Sequence, residues 1–138
     1  MDRVLVYGTL KQGHGNNRLL AGCHLLGEYV TLQTFTMYNS GFPVTFYKTK
    51  GHNVLGELYE IPEEQLAATI QRLDQLESEG NMYSRETVRA LPLGDSSRST
   101  EPPAVETYMY VGIEEFWRSH RMDASHFMQP NEAGFLHW

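Results

Sequence analysis

Arg3-Val4-Leu5-Val6-Tyr7-Gly8-Thr9-Leu10-Lys11 is the stretch on which the reading of this chain turns. Val4 to Tyr7 are four apolar or aromatic residues in succession, three of them β-branched or aromatic. They predict a short strand buried on both faces. The strand stops at Gly8, a residue type that reaches backbone angles closed to others and lets a ligand approach the main chain. Gly13 and Gly15 follow, and Asn16-Asn17 precedes Arg18-Leu19-Leu20-Ala21-Gly22 as a capped helical turn closed by a glycine. A buried strand running into such a turn offers unpaired N–H groups beside a rigid platform, suited to a carboxylate or a developing oxyanion. A tight turn with no ligand accounts for the same residues.

The 138 residues suggest one domain spanning 1–138, with 112–138 a poorly patterned C-terminal extension. A chain of this length buries roughly two-thirds of its unfolded surface, enough to stand without a disulfide or metal staple. The single Cys23 has no partner for an internal bridge, which fits a reducing compartment. Net charge is −6 with the acidic residues scattered, which argues against a nucleic-acid partner. No apolar run is long enough to span a membrane, and the N-terminus has no signal-peptide pattern; the expectation is a cytoplasmic globular protein.

Cys23 to Tyr38 reads as two strands divided or bent near Thr31–Gln33. Asn39-Ser40-Gly41 is a turn, and Phe42 to Phe46 is extended, with Pro43 marking an edge or bulge. Lys48 to Asn53 reads as a polar hairpin tip around Gly51. Val54 to Ile61 is a second strong strand whose alternation puts Leu55, Glu57, Tyr59 and Ile61 on one face. A carboxylate at Glu57 is either paired with a structural donor or part of a site, and the structural role is preferred.

Pro62 fits the first helical position, with Glu63 and Glu64 favourable to the helix dipole, and the helix runs to about Leu76. Its apolar stripe is Leu66, Ile70, Leu73, and the next member is Glu77. If the stripe faces the core, Glu77 points inward and desolvation favours its neutral form; a frayed last turn would leave it in water. Ser78 to Asn81 is a loop, and Tyr83 to Leu93 a strand. Gly94 to Pro103 is a small, polar, mobile surface loop, and Ala104 to Val111 is the last strand. Glu114 to Arg121 suggests a short helix carrying Phe116 and Trp117. This order implies a mainly β core, a closed or nearly closed barrel with helices packed on it.

One ordered set of segments carries a resemblance: Val6-Tyr7-Gly8-Thr9-Leu10-Lys11, Gly41-Phe42-Pro43, Val54 to Tyr59, Leu73-Asp74-Gln75-Leu76-Glu77, Tyr83-Ser84-Arg85 and Tyr108-Met109-Tyr110. The series resembles the γ-glutamylcyclotransferase-like family, which includes γ-glutamylamine cyclotransferases and plant AIG2-like proteins, over residues 3 to about 112. The resemblance implies an α+β fold, a small mixed β-barrel with one main helix packed on it, and a pocket at the Tyr7–Leu10 turn. It implies a cofactor-free enzyme that cyclises a small-molecule γ-glutamyl amine or amide to 5-oxoproline and releases the amine. By similarity, Gly8, Thr9 and Leu10 hold the glutamyl group through their backbone, with Tyr7 at the start of the turn. Glu77 is the acid/base, and Tyr110 and Tyr83 line the pocket. The rival is a non-catalytic binding module on the same fold.

Those residue types suit the chemistry. A γ-glutamyl α-ammonium cannot attack its own δ-carbonyl until a base takes a proton, and a carboxylate with a raised pKa can do this and then protonate the leaving amine. The chain departs from the family at one point: many members have Glu-Gly directly after the helix, whereas here the run is Glu77-Ser78-Glu79-Gly80. Counting forward along the helix selects Glu77; counting back from Tyr83 by the shorter plant-type spacing selects Glu79. Glu77 is preferred because a helix fixes direction while a loop varies in length. Cys23 lacks the basic or helix-start context of a nucleophile, and the six histidines show no helical ligand pairing, so no metal site is expected.

Overall fold

In the computed structural model, which describes residues 1–93 and 103–138, β1 (Arg3–Val6) is covered on both faces. Val4, Leu5 and Val6 are 0, 1 and 3 % exposed. Alternate residues feed two cores, as the period of a strand requires. Leu5 joins Val54, Leu58, Val88 and Met109 in one cluster, while Val4 and Val6 join Leu73, Tyr83 and Tyr110 in the other.

The remaining strands are β2 (His24–Thr31), β3 (Phe35–Asn39), β4 (Pro43–Tyr47), β5 (Asn53–Glu60), β6 (Tyr83–Pro92), β7 (Val105–Gly112) and β8 (Phe135–Leu136). β1 lies parallel to β7, β7 antiparallel to β6, β6 to β2 and β2 to β5; β5 returns antiparallel to β1. The five strands therefore close into a mixed barrel, which leaves no open edge between them. β3 and β4 form a separate hairpin, with Pro43 first in its strand and opposite Asn39. The break between β2 and β3 falls at residues 32–34, as the sequence suggests.

α1 (Leu66–Glu77) follows a 3-10 turn at Glu63–Gln65. Pro62 stays extended (ψ 141°), so it caps that turn from outside instead of opening the helix. Leu73 of α1 packs among Val4, Val6 and Ile61, with Leu66 and Ile70 at the margin, so the apolar stripe covers the outside of the barrel. α2 (Glu114–Arg118) buries Trp117. No described helix is long and apolar enough to cross a membrane.

Two further segments are placed only by the structure. Lys48 to Asn53 is not a hairpin tip: β4 pairs with β3 and β5 with β1 and β2, so this segment links two sheets and bridges back to Phe35 at His52. The tail is ordered although it carries no periodic pattern. Its β8 adds in parallel to Asn53 and Val54, and Leu136 is buried with Leu5 and Leu58. The surface loop expected over Gly94 to Pro103 lies, but for Pro103, outside the described residues.

Candidate active site

The turn after β1 is held from behind by its own carbonyl groups. Lys11 N–H donates to Gly8 O (3.0 Å), Asn16 N–H to Thr9 O (3.2 Å) and the Asn17 amide to Leu10 O (2.8 Å). The Asn16 amide also donates to Thr9 Oγ1 (2.9 Å). These asparagines were expected to cap a helix; the segment is instead a 3-10 turn (Gly15–Leu20) with no side-chain cap, and both amides brace the loop. The N–H groups of Gly8, Thr9 and Leu10 donate to no acceptor among the described residues. Three unspent donors on a braced turn make a preformed anion-binding edge. Gly8 is needed here for room and not for a left-handed angle: a Cβ on it would stand 2.7 Å from Pro43 Cγ. Glu57 has the structural role, accepting from Gln12 N–H (2.8 Å) and Tyr59 Oη (3.3 Å).

Glu77 is the last residue of α1, where the core-facing stripe ends. The helix stops cleanly, because Ser78 adopts left-handed angles (φ 49°, ψ 55°). Ser78 N–H reaches Gln75 O (3.3 Å) and Glu79 N–H reaches Asp74 O (2.9 Å), a Schellman closure with serine where glycine is usual. The last turn is thus fixed and Glu77 is aimed inward. It lines a small, partly open cavity of about 40 Å3 together with Tyr7, Gly8, Thr9, Leu10, Tyr83 and Tyr110. All seven residues singled out from the sequence meet there, and Phe42 and Pro43 also line it. Burial alone pushes the Glu77 carboxyl from its ordinary 4.5 up to about 7. Glu79 is exposed and accepts only a long bond from Arg85 N–H (3.4 Å), so it is not in this cavity.

The three tyrosines are each tied down. Tyr7 Oη donates to Tyr110 O (2.6 Å) and accepts from Thr45 Oγ1 (3.0 Å), and Tyr83 Oη donates to Pro43 O (3.1 Å). Burial raises the pKa of all three, so they stay protonated near neutrality. Tyr110 Oη donates to Asp74 Oδ1 (2.6 Å), and the other Asp74 oxygen pairs with the Arg85 guanidinium, which lies 4.9 Å over the Tyr108 ring. Asp74 and Arg85 were not singled out from the sequence. The available signal was the i, i+3 spacing of Asp74 and Glu77, which puts both carboxylates on one side of α1. The partnership with Arg85 and Tyr110 needs the β6–β7 register, in which those two residues stand opposite each other. Among the described residues no group of three or more His, Cys, Asp or Glu is placed to hold a metal ion.

Comparison with known proteins points the same way. The family described as gamma-glutamyl cyclotransferase, AIG2-like, matches residues 4–126. A gamma-glutamylaminecyclotransferase of Mus musculus is 31% identical over 120 residues, covering 80% of this chain and 78% of that protein. A gamma-glutamylcyclotransferase family protein of Escherichia coli K12 is 30% identical over 94 residues, 68% of this chain and 77% of that one. In fold, the chain is similar to the crystal structure of a mouse AIG2-like protein: TM-score 0.68, 22% identity, with 100% of this chain and 95% of that one covered.

Proposed function

The chain belongs to the gamma-glutamyl cyclotransferase, AIG2-like family, and we propose that it converts a small γ-glutamyl amine or amide to 5-oxoproline and the free amine. One observation carries this reading: a desolvated carboxylate, Glu77, shares a cavity with the unspent N–H groups of Gly8, Thr9 and Leu10. The glutamyl group binds against those donors, folded so that its α-nitrogen faces its own δ-carbonyl. Ionised Glu77 takes a proton from the α-ammonium, and the freed amine attacks the δ-carbon. Charge that develops on the carbonyl oxygen is received by the backbone N–H groups, which need no reorganisation to do so. Protonated Glu77 then returns its proton to the leaving nitrogen as the bond to it breaks. The ring nitrogen gives up its second proton through the regenerated Glu77 carboxylate to the released amine, which departs as ammonium. Nucleophile and electrophile belong to one molecule, so holding the folded conformer supplies much of the remaining acceleration. A carboxyl that titrates near 7 is matched to both halves of the cycle, since it is available as base and as acid at neutral pH. The leaving amine is a small-molecule group, and the protein side of the reaction uses only residues of this chain.

The test is a panel of γ-glutamyl amines and dipeptides, with 5-oxoproline as the readout, run on the unmutated protein and on Glu77→Gln and Glu79→Gln. Turnover is expected in the unmutated protein and in Glu79→Gln. It should fall roughly a hundredfold or more in Glu77→Gln, the usual worth of a positioned proton-transfer group. Binding of 5-oxoproline by Glu77→Gln should weaken far less, because the backbone donors are untouched. Ligand binding without turnover on any substrate would favour the binding module.

A further inference from the structure

β4 reaches the cavity from outside the barrel. Among the described residues its ladder partner is β3 alone, and the hairpin's further bridges, Phe35 to His52 and Tyr38 to Phe127, both leave from β3. The hydrogen bonds from β4 to the barrel run through tyrosine hydroxyls. Tyr83 Oη donates to Pro43 O (3.1 Å) and Thr45 Oγ1 donates to Tyr7 Oη (3.0 Å). At the exposed end of the strand, Tyr47 Oη reaches Glu86 Oε1 (3.5 Å).

Pro43, Thr45 and Tyr47 alternate along β4 and so share one face. Pro43 lines the cavity, and it stands so close to Gly8 that a Cβ there would lie 2.7 Å from its Cγ. Thr45, two residues on, is 0 % exposed. The direction of its bond is fixed. Tyr110 O can only accept, so the single Tyr7 hydroxyl proton goes to it (2.6 Å), and the Tyr7 oxygen is left to accept from Thr45. One chain of donors therefore runs from the hairpin, through the residue that opens the turn after β1, to β7.

We propose, resting on the cyclotransferase reading above, that Thr45 is a positioning residue: through its bond to Tyr7 it sets where β4 stands beside the Gly8 turn, and so fixes Pro43 as a wall against which the glutamyl group is held. Neither Thr45 nor Pro43 carries a proton for the reaction. The bond therefore bears on how the substrate is held and not on the acid/base step of Glu77.

The experiment measures kcat and KM for a γ-glutamyl amine, and the Kd of 5-oxoproline, in the unmutated protein and in variants. Thr45→Val keeps the shape of the side chain without its hydroxyl. KM and Kd should each rise roughly fivefold, the worth of one neutral hydrogen bond, with kcat within about twofold. Thr45→Ser keeps the donor and should restore both constants. Tyr7→Phe removes the acceptor, so adding Thr45→Val to it should change neither constant further. Tyr47→Phe, which cuts the exposed bond of the same strand, should leave both where they are.

Unmoved KM and Kd in folded Thr45→Val overturn the proposal, as does a fall in kcat with KM unchanged. So does an equal rise in Thr45→Ser or in Tyr47→Phe, or a Thr45→Val effect that persists in full beside Tyr7→Phe. Should Thr45→Val fail to fold, Thr45→Cys, which offers only a weak donor, is judged by the same outcomes. The Kd is read without turnover. Absence of turnover on any γ-glutamyl substrate would overturn the enzyme reading and leave Thr45 to be judged on the Kd; if 5-oxoproline does not bind either, both fall. Unmoved constants in an active enzyme would overturn only the role of Thr45.

Discussion

A single carboxylate sets the pH behaviour expected of this protein. Glu77 has its folded pKa raised from 4.5 to about 7 by burial. Below 4.5 it is protonated in both the folded and unfolded states, and its burial costs little. Between 4.5 and 7 the unfolded chain loses the proton first, so the native state loses stability as pH rises through about 7. The loss should be of order 2 kcal/mol once discounted for the side chain's partial contact with solvent. Glu77→Gln should therefore match the unmutated protein in thermal stability near pH 4.5 and exceed it by several degrees in Tm at pH 8. A constant gap across that range would show that Glu77 is solvated in the native state.

At the scale of elements, the end of α1 is the sensitive point. Ser78 holds the left-handed angles that let the helix stop with Glu77 facing the barrel. A side chain in that conformation costs about 1 kcal/mol or more, part of which glycine gives back as unfolded-state entropy. Ser78→Gly should stabilise the protein by roughly 0.5–1 kcal/mol in urea denaturation and leave turnover nearly unchanged; loss of stability would mean that the Ser78 side chain makes a bond of its own. β1 shows the same coupling of element to site. Its two buried faces hold Tyr7 and the turn so firmly that the Gly8–Leu10 N–H groups are presented with their carbonyls already engaged.

At the scale of the molecule, the barrel closes because β5 returns to β1, and the tail then completes its interior. Leu136, 1 % exposed, belongs to the inner cluster with Leu5, Val54 and Leu58. The backbone carbonyl of Trp138 accepts from Lys11 Nζ (2.9 Å), which ties residue 138 to the end of the turn after β1. Leu136→Ala should cost about 2–4 kcal/mol in global stability, the usual price of emptying a well-packed aliphatic site. A loss below about 1 kcal/mol would mean that the tail is an appendage and not part of the core.

Local pattern determined much of this. Four apolar residues before Gly8 announced a strand buried on both faces, and a 4-then-3 stripe announced a helix whose next inward position is Glu77. Such signals are legible because strand and helix periods report which face meets apolar surroundings, whatever those surroundings are. Tertiary structure alone decided which surroundings those were. The parallel pairing of Val4 with Tyr108 joins residues far apart in the chain, and the Arg85–Tyr110 register brings Asp74 its partners. The docking of Leu136 rests on a strand of two residues, too short to show a period. Glu77 and Glu79 differ by two positions in sequence, and the left-handed turn at Ser78 is what sends one into the cavity and the other to the surface. The energy of that choice lies in packing and chain closure between distant segments, which no local period records.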